Sequence, residues 1–101
     1  MSATAERIQL RNPDPTKTGP RIARDVYGVA YRVACAVVPA KAPGITLNDY
    51  LDKMAARLPK AKGWDRSLSA NWYAMAIKLD MEARRELKRV NDKPPQRLVR
   101  A

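Results

Sequence analysis

The side chains in this chain best equipped for chemistry are its cations. Lys88, Arg89, Lys93, Arg97 and Arg100 crowd into one short C-terminal segment. Five cations so close together repel unless water or an anion neutralises them, and a row of phosphates is the anion such a row suits. Upstream lie Arg66, Ser67, Asn71 and Lys78. Ser and Asn carry the donors and acceptors that meet base edges, while Arg and Lys reach phosphates. The candidate nucleic-acid contacts are therefore Arg66, Ser67, Asn71, Lys78, Lys88, Arg89, Lys93 and Arg97, with Ser69 and Tyr73 beside them. Blander readings stand next to these: charged edge strands discourage aggregation, and a small polar helix face needs only water.

Catalysis and metal binding find less support. The chain has no His and one Cys, which removes the commonest general base and any structural zinc site. No P-loop and no Gly-x-Gly-x-x-Gly occur. Asp80 and Glu82 lie near Arg84 and Arg85 in the pattern of pairing on a helix surface. The expectation is a protein that is not an enzyme and uses no cofactor and no metal. Cys35 lies in an apolar run, and a lone Cys cannot staple a secreted scaffold.

The overall charge agrees with the local one. Twenty basic and ten acidic residues give a net +10 and a pI near 10.3, a balance that favours polyanionic partners. Residues 60–101 hold +6 of it, against +3 in residues 1–24 and +1 in residues 25–59. At 46% apolar residues the chain is too hydrophobic for full disorder. No apolar run reaches membrane-spanning length and the N-terminus has no signal-peptide pattern, so a cytoplasmic location and no membrane partner are expected.

These groups need elements to hold them. Residues 1–6 read as a flexible N-terminus and residues 7–100 as a single domain. Arg7-Ile8-Gln9-Leu10 alternates as a short strand does, and the prolines and Gly19 of residues 11–20 make a loop. A first helix is expected from Ile22 or Arg24 to Val38, with Val26, Ala30, Val33, Ala34 and Val37 on one stripe. Tyr27, Tyr31 and Val38 widen that stripe until most of the helix demands cover, either from its own domain or from a homodimer partner. Thr46 is a good N-cap for a second helix, with Asp49 at the capping-box position and Ile45 as staple. That helix carries Leu47, Tyr50, Leu51, Met54 and Leu58 and stops before Pro59. A third helix is expected to start at Asp65 or Ser67 and to bury Leu68, Trp72, Met75, Ala76, Leu79 and Ala83. Ser67, Ala70, Asn71, Ala74 and Lys78 would then face outward. Strands near residues 86–90 and 96–100, joined by Asn91-Asp92-Lys93-Pro94-Pro95, complete a basic hairpin.

Three helices, a C-terminal β-hairpin wing and a short N-terminal strand make an α+β winged helix-turn-helix. The run Ile77 to Arg84, the Pro95-Gln96-Arg97-Leu98 segment, Trp72-Tyr73 and the opening Ile8-Gln9-Leu10-Arg11-Asn12-Pro13 together resemble a family of small, uncharacterised bacterial winged-helix-like proteins. That resemblance spans most of residues 7–99 and implies a fold, not an activity. The helix-to-wing junction is also similar to that of winged-helix transcription regulators, which often carry Gly where this chain has Arg85.

Three functions follow as expectations. The first is DNA binding, as in a small transcription regulator, with the third helix in the major groove and the wing along the backbone. The second is a protein-interaction adapter or a homodimer formed through the first helix. The third is RNA binding, with Trp64 or Tyr73 stacking on bases.

Overall fold

The computed structural model describes residues 6–90 and 94–101. Within them the chain is α+β, with three helices and two small sheets. Strand β1 (Arg7–Gln9) pairs antiparallel with β2 (Arg21–Ala23), placing Ile8 opposite Ile22. Glu6 continues this hairpin through an ion pair of 3.3 Å to Arg24. Residues 1–5 of the expected flexible N-terminus lie outside the described residues.

Helix α1 (Arg24–Val37) follows β2 without a side-chain cap and ends where Pro39 has no N–H to continue it. Its buried residues are Val29, Ala30, Val33, Ala34 and Val37, and Tyr27, Tyr31 and Cys35 pack partly against the same core. The positions it leaves exposed are Arg24, Asp25, Gly28, Arg32 and Ala36. The broad apolar surface of this helix is thus covered by its own domain, so packing gives no reason for a twin subunit there.

Strand β3 (Ile45–Thr46) leads directly into helix α2 (Leu47–Arg57). The Thr46 hydroxyl accepts the Asp49 N–H at 3.2 Å, as the N-cap reading expects. Tyr50, Met54 and Leu58 reach the centre of the core, and the Tyr50 hydroxyl donates to the Ala74 carbonyl at 2.8 Å. A 3-10 turn (Leu58–Lys60) and a loop carry the chain to helix α3 (Ala70–Ala83). Ser69 caps α3 by accepting the Trp72 N–H at 3.1 Å. The two residues expected in that role form a turn instead: Asp65 accepts both the N–H and the hydroxyl of Ser67.

Strands β4 (Leu87–Arg89) and β5 (Arg97–Arg100) form the expected hairpin, and β3 adds to its far side in the order β3-β5-β4. Ile45 pairs with Leu98, and Leu98 pairs in turn with Arg89. Gly44 makes the β3–β5 approach possible. Its φ is +80°, and a Cβ there would collide with the Leu98 carbonyl oxygen. The core lies between α1, α2, α3 and this sheet. Among the described residues no helix is long and apolar enough to cross a membrane.

Candidate functional site

Helix α3 meets the core with a different face from the one its apolar residues suggest. Ala74, Ile77, Lys78, Asp80 and Met81 are buried, whereas Trp72 is 49% exposed. Trp72, Met75, Ala76 and Leu79 belong to the outer side. Two apolar stripes compete on this helix, and the larger side chains favour the wrong one. The difference is decided by polar groups: Asp80 and Lys78 can be buried because other residues satisfy them.

Asp80 is completely buried. It accepts the Arg11 backbone N–H at 2.8 Å, the Tyr27 hydroxyl at 3.0 Å and the Arg84 Nε at 3.0 Å. One carboxylate therefore ties the N-terminal loop, α1 and the end of α3 together. Burial and the neighbouring Asp80 charge push the Tyr27 hydroxyl up to about 12. Burial opposes the Arg84 charge, but the hydrogen bond and field of Asp80 outweigh it and raise that group further. The expected i,i+4 pairing is present, yet it is an interior network rather than a surface pair.

Lys78 requires a correction. Expected on the outer face within reach of phosphate, it is 2% exposed. Its Nζ lies 2.8 Å from Glu82 Oε1, and Glu82 also holds Arg89 Nε at 3.2 Å. Lys78 is thus paired with the carboxylate that ties α3 to β4 and is not available to a phosphate.

The turn between α3 and β4 aims the remaining cations. The Glu86 N–H bonds to the Met81 carbonyl at 2.8 Å and the Arg85 N–H to the Glu82 carbonyl at 3.0 Å. This is a Schellman closure, with Arg85 at φ +64° in the left-handed place that Gly normally takes. The sharp junction therefore forms with Arg in it. Arg85, Lys88 and Arg89 are exposed and surround a hollow of about 600 Å³ that Pro13, Leu87 and Glu82 also line. Arg85 was not among the expected contacts. Its signal was the helix end itself, since C′ projects from the last turn beside the first strand residue.

Arg66 is exposed with its Nε on the Pro59 carbonyl at 3.3 Å, and Ser67 is exposed with its hydroxyl on Asp65. Asn71 is exposed in the first turn of α3. Arg97 is half-buried in β5, and Arg100 holds the Val38 carbonyl at 3.0 Å. Lys93 lies outside the described residues. The structure therefore gathers Lys88 and Arg89 with Arg85, leaves Arg66, Ser67 and Asn71 at the start of α3, and removes Lys78. Trp64 is buried at 8% exposure, edge-on to Tyr73 at 5.4 Å, so it has no free face for a base. Among the described residues no group of three His, Cys, Asp or Glu is placed to hold a metal.

The segments that position these groups, from the opening Asn12-Pro13 to Leu98, fall within one family model, which matches residues 7–98. The chain belongs to DUF6958, a family of unknown function. Membership agrees with the resemblance to an uncharacterised family, and it assigns no activity. Neither the curated proteins nor the solved structures contain a match to the chain.

Proposed function

We propose that this protein is a winged helix that binds nucleic acid through its C-terminal ribbon, holding phosphates and reading few bases. The observation that carries the reading is the exposed group Arg85, Lys88 and Arg89 around one hollow, in a chain of net charge +10. The element order supports the fold assignment. A strand between the first two helices pairs with the last strand of a C-terminal hairpin, as it does in winged helices generally.

The weak base readout follows from α3. In the DNA-binding expectation its outer face would enter the major groove, but that face presents Trp72, Met75 and Leu79 with Asn71 as a polar contact. Phosphate contacts position a protein without carrying sequence information. A small regulator with a tightly specified operator fits this surface less well than a sequence-tolerant binder does. A second reading, a protein-interaction module, is favoured by the same apolar face.

Fluorescence anisotropy on labelled random-sequence duplex DNA, titrated at several salt concentrations, tests the proposal. The expected result is affinity that falls linearly in log–log form and changes little between unrelated sequences. Parallel titrations with duplex and single-stranded RNA separate the possible polyanions. No binding at low salt would refute the reading.

A further inference from the structure

A carboxylate on the wall of a phosphate-binding hollow ought to repel the ligand, and Glu82 is such a carboxylate. Lys78 and Glu82 stand one turn apart on α3, so their side chains share a face. Both are nearly buried, at 3% and 8% side-chain exposure, with Lys78 Nζ 2.8 Å from Glu82 Oε1. The second oxygen, Oε2, accepts Arg89 Nε at 3.2 Å. Arg89 lies two residues beyond the buried Leu87 and leaves β4 on the same face, which brings it back toward α3. Its side chain is nevertheless 52% exposed, and among the described residues no acceptor holds its two Nη groups. The hollow's other cations, Arg85 and Lys88, have no ion-pair partner among the described residues, so Arg89 alone of the three is held.

We infer that Glu82 is the positioning residue for Arg89: it fixes the guanidinium by Nε and leaves the two Nη groups to grip one phosphate as a fork. Two physical points carry this. Ordering a long side chain costs binding free energy, and an Arg already held in the free protein has met that cost on folding. The charge of Glu82 is balanced from inside by Lys78, so Glu82 can orient Arg89 without cancelling it. The three groups together keep one positive charge for the ligand. A buried ion pair by itself does little for stability compared with apolar side chains of the same size, whereas here it supports a surface cation. The inference rests on phosphate binding at this corner.

A double-mutant cycle in duplex binding tests it. One arm replaces the buried pair, Lys78→Met with Glu82→Met; it loses one cation and one anion, keeps the net +10 and keeps side-chain size. The other arm is Arg89→Ala. Circular dichroism and unfolding midpoints establish that all four proteins are folded. The pair replacement should weaken binding about fivefold, the cost of ordering one long side chain. Arg89→Ala should then cost about fivefold less in the replaced protein than in the wild type, because the anchored fork is already lost. A merely structural role for Glu82 gives the same Arg89→Ala loss in both backgrounds, and that additivity overturns the inference. The Arg89 Nε–H resonance, assigned by its loss in Arg89→Ala, supplies a readout that needs no ligand. It should exchange with water more slowly in the wild type than in the pair replacement; equal exchange overturns the inference while leaving phosphate binding intact. A wild type that holds no duplex at low salt removes the polyanion reading and this inference with it.

Discussion

Replacing Asp80 with Asn should cost this protein about 3 kcal/mol. The magnitude follows from what the carboxylate holds. It is fully buried and accepts from Arg11 N–H, the Tyr27 hydroxyl and Arg84 Nε. Breaking a buried ion pair by removing one partner costs about 3–5 kcal/mol, and a hydrogen bond to a charged group contributes about 1.5–3. Two features reduce the sum. The Arg84 side chain is 29% exposed and can turn to water, and Asn retains one acceptor oxygen for Arg11 or Tyr27. The lower end of the ion-pair range is therefore the expected loss, a large share of the roughly 5–15 kcal/mol that holds a domain together. Urea unfolding reads it directly. With a slope of about 1.5 kcal/mol per M, the midpoint should fall by about 2 M at unchanged slope. A double-mutant cycle with Tyr27→Phe should show coupling of about 1 kcal/mol, because both changes act on the charge-assisted contact between the two side chains. A loss below about 1 kcal/mol, with no coupling, would refute the reasoning. The pair would then behave as a solvent-exposed one.

Further outcomes follow from the same structure. Arg85→Gly should stabilise the fold by up to about 1 kcal/mol, since the relief of about 1–2 kcal/mol of left-handed strain is only partly offset by the unfolded-state entropy that Gly adds; thermal unfolding measures it, and a lower midpoint would mean that the Arg85 side chain contributes contacts that outweigh the strain. Tyr27 and Tyr31 are both pushed up to about 12, by burial first and then by Asp80 for Tyr27, and by burial, Cys35 and Glu86 for Tyr31. A raised folded value favours the neutral phenol, so their contribution is complete below the unfolded value near 10 and is lost as pH climbs toward 12. Unfolding midpoints should drop across that window, and Tyr27→Phe should flatten the drop. Lys78→Met should leave the salt dependence of nucleic-acid binding unchanged while altering stability, because Lys78 faces Glu82 inside the protein; a flatter salt dependence would put Lys78 on the phosphates after all.

Much of the architecture was legible in the residues, and the exceptions have physical causes. Thr46 and Asp49 announced the start of α2 because a cap is a local device, closed within one turn. The C-terminal strand pair was legible because Leu87, Leu98 and Val99 bracket a turn-forming stretch, and the observed strands fall within the expected ones. Strands β2 and β3 were not. Arg21-Ile22-Ala23 and Ile45-Thr46 are too short to show alternation, and each exists because a distant partner, β1 or β5, satisfies its backbone. The orientation of α3 was hidden for a related reason. Nothing near Lys78 or Asp80 in sequence announces that the N-terminal loop and Tyr27 will close around Asp80, or that the Lys78–Glu82 pair will face inward. The candidate site inherited that uncertainty: Lys88 and Arg89 stood where the hairpin put them, Lys78 turned inward with its helix, and Arg85 emerged from a left-handed turn that its side chain disfavours.

In the proposed function phosphates meet the cations at the α3–β4 corner, and one pair of substitutions isolates that contact. Arg85→Gly with Lys88→Ala removes two charges at exposed positions, and the first change eases the backbone rather than straining it. Duplex binding by the double variant and the wild type should be compared across salt concentrations. Each phosphate contact contributes about 0.9 to the log–log slope, so the variant should be flatter by roughly 1.8. A variant with the slope of the wild type would place the polyanion elsewhere and contradict the proposed role of the ribbon.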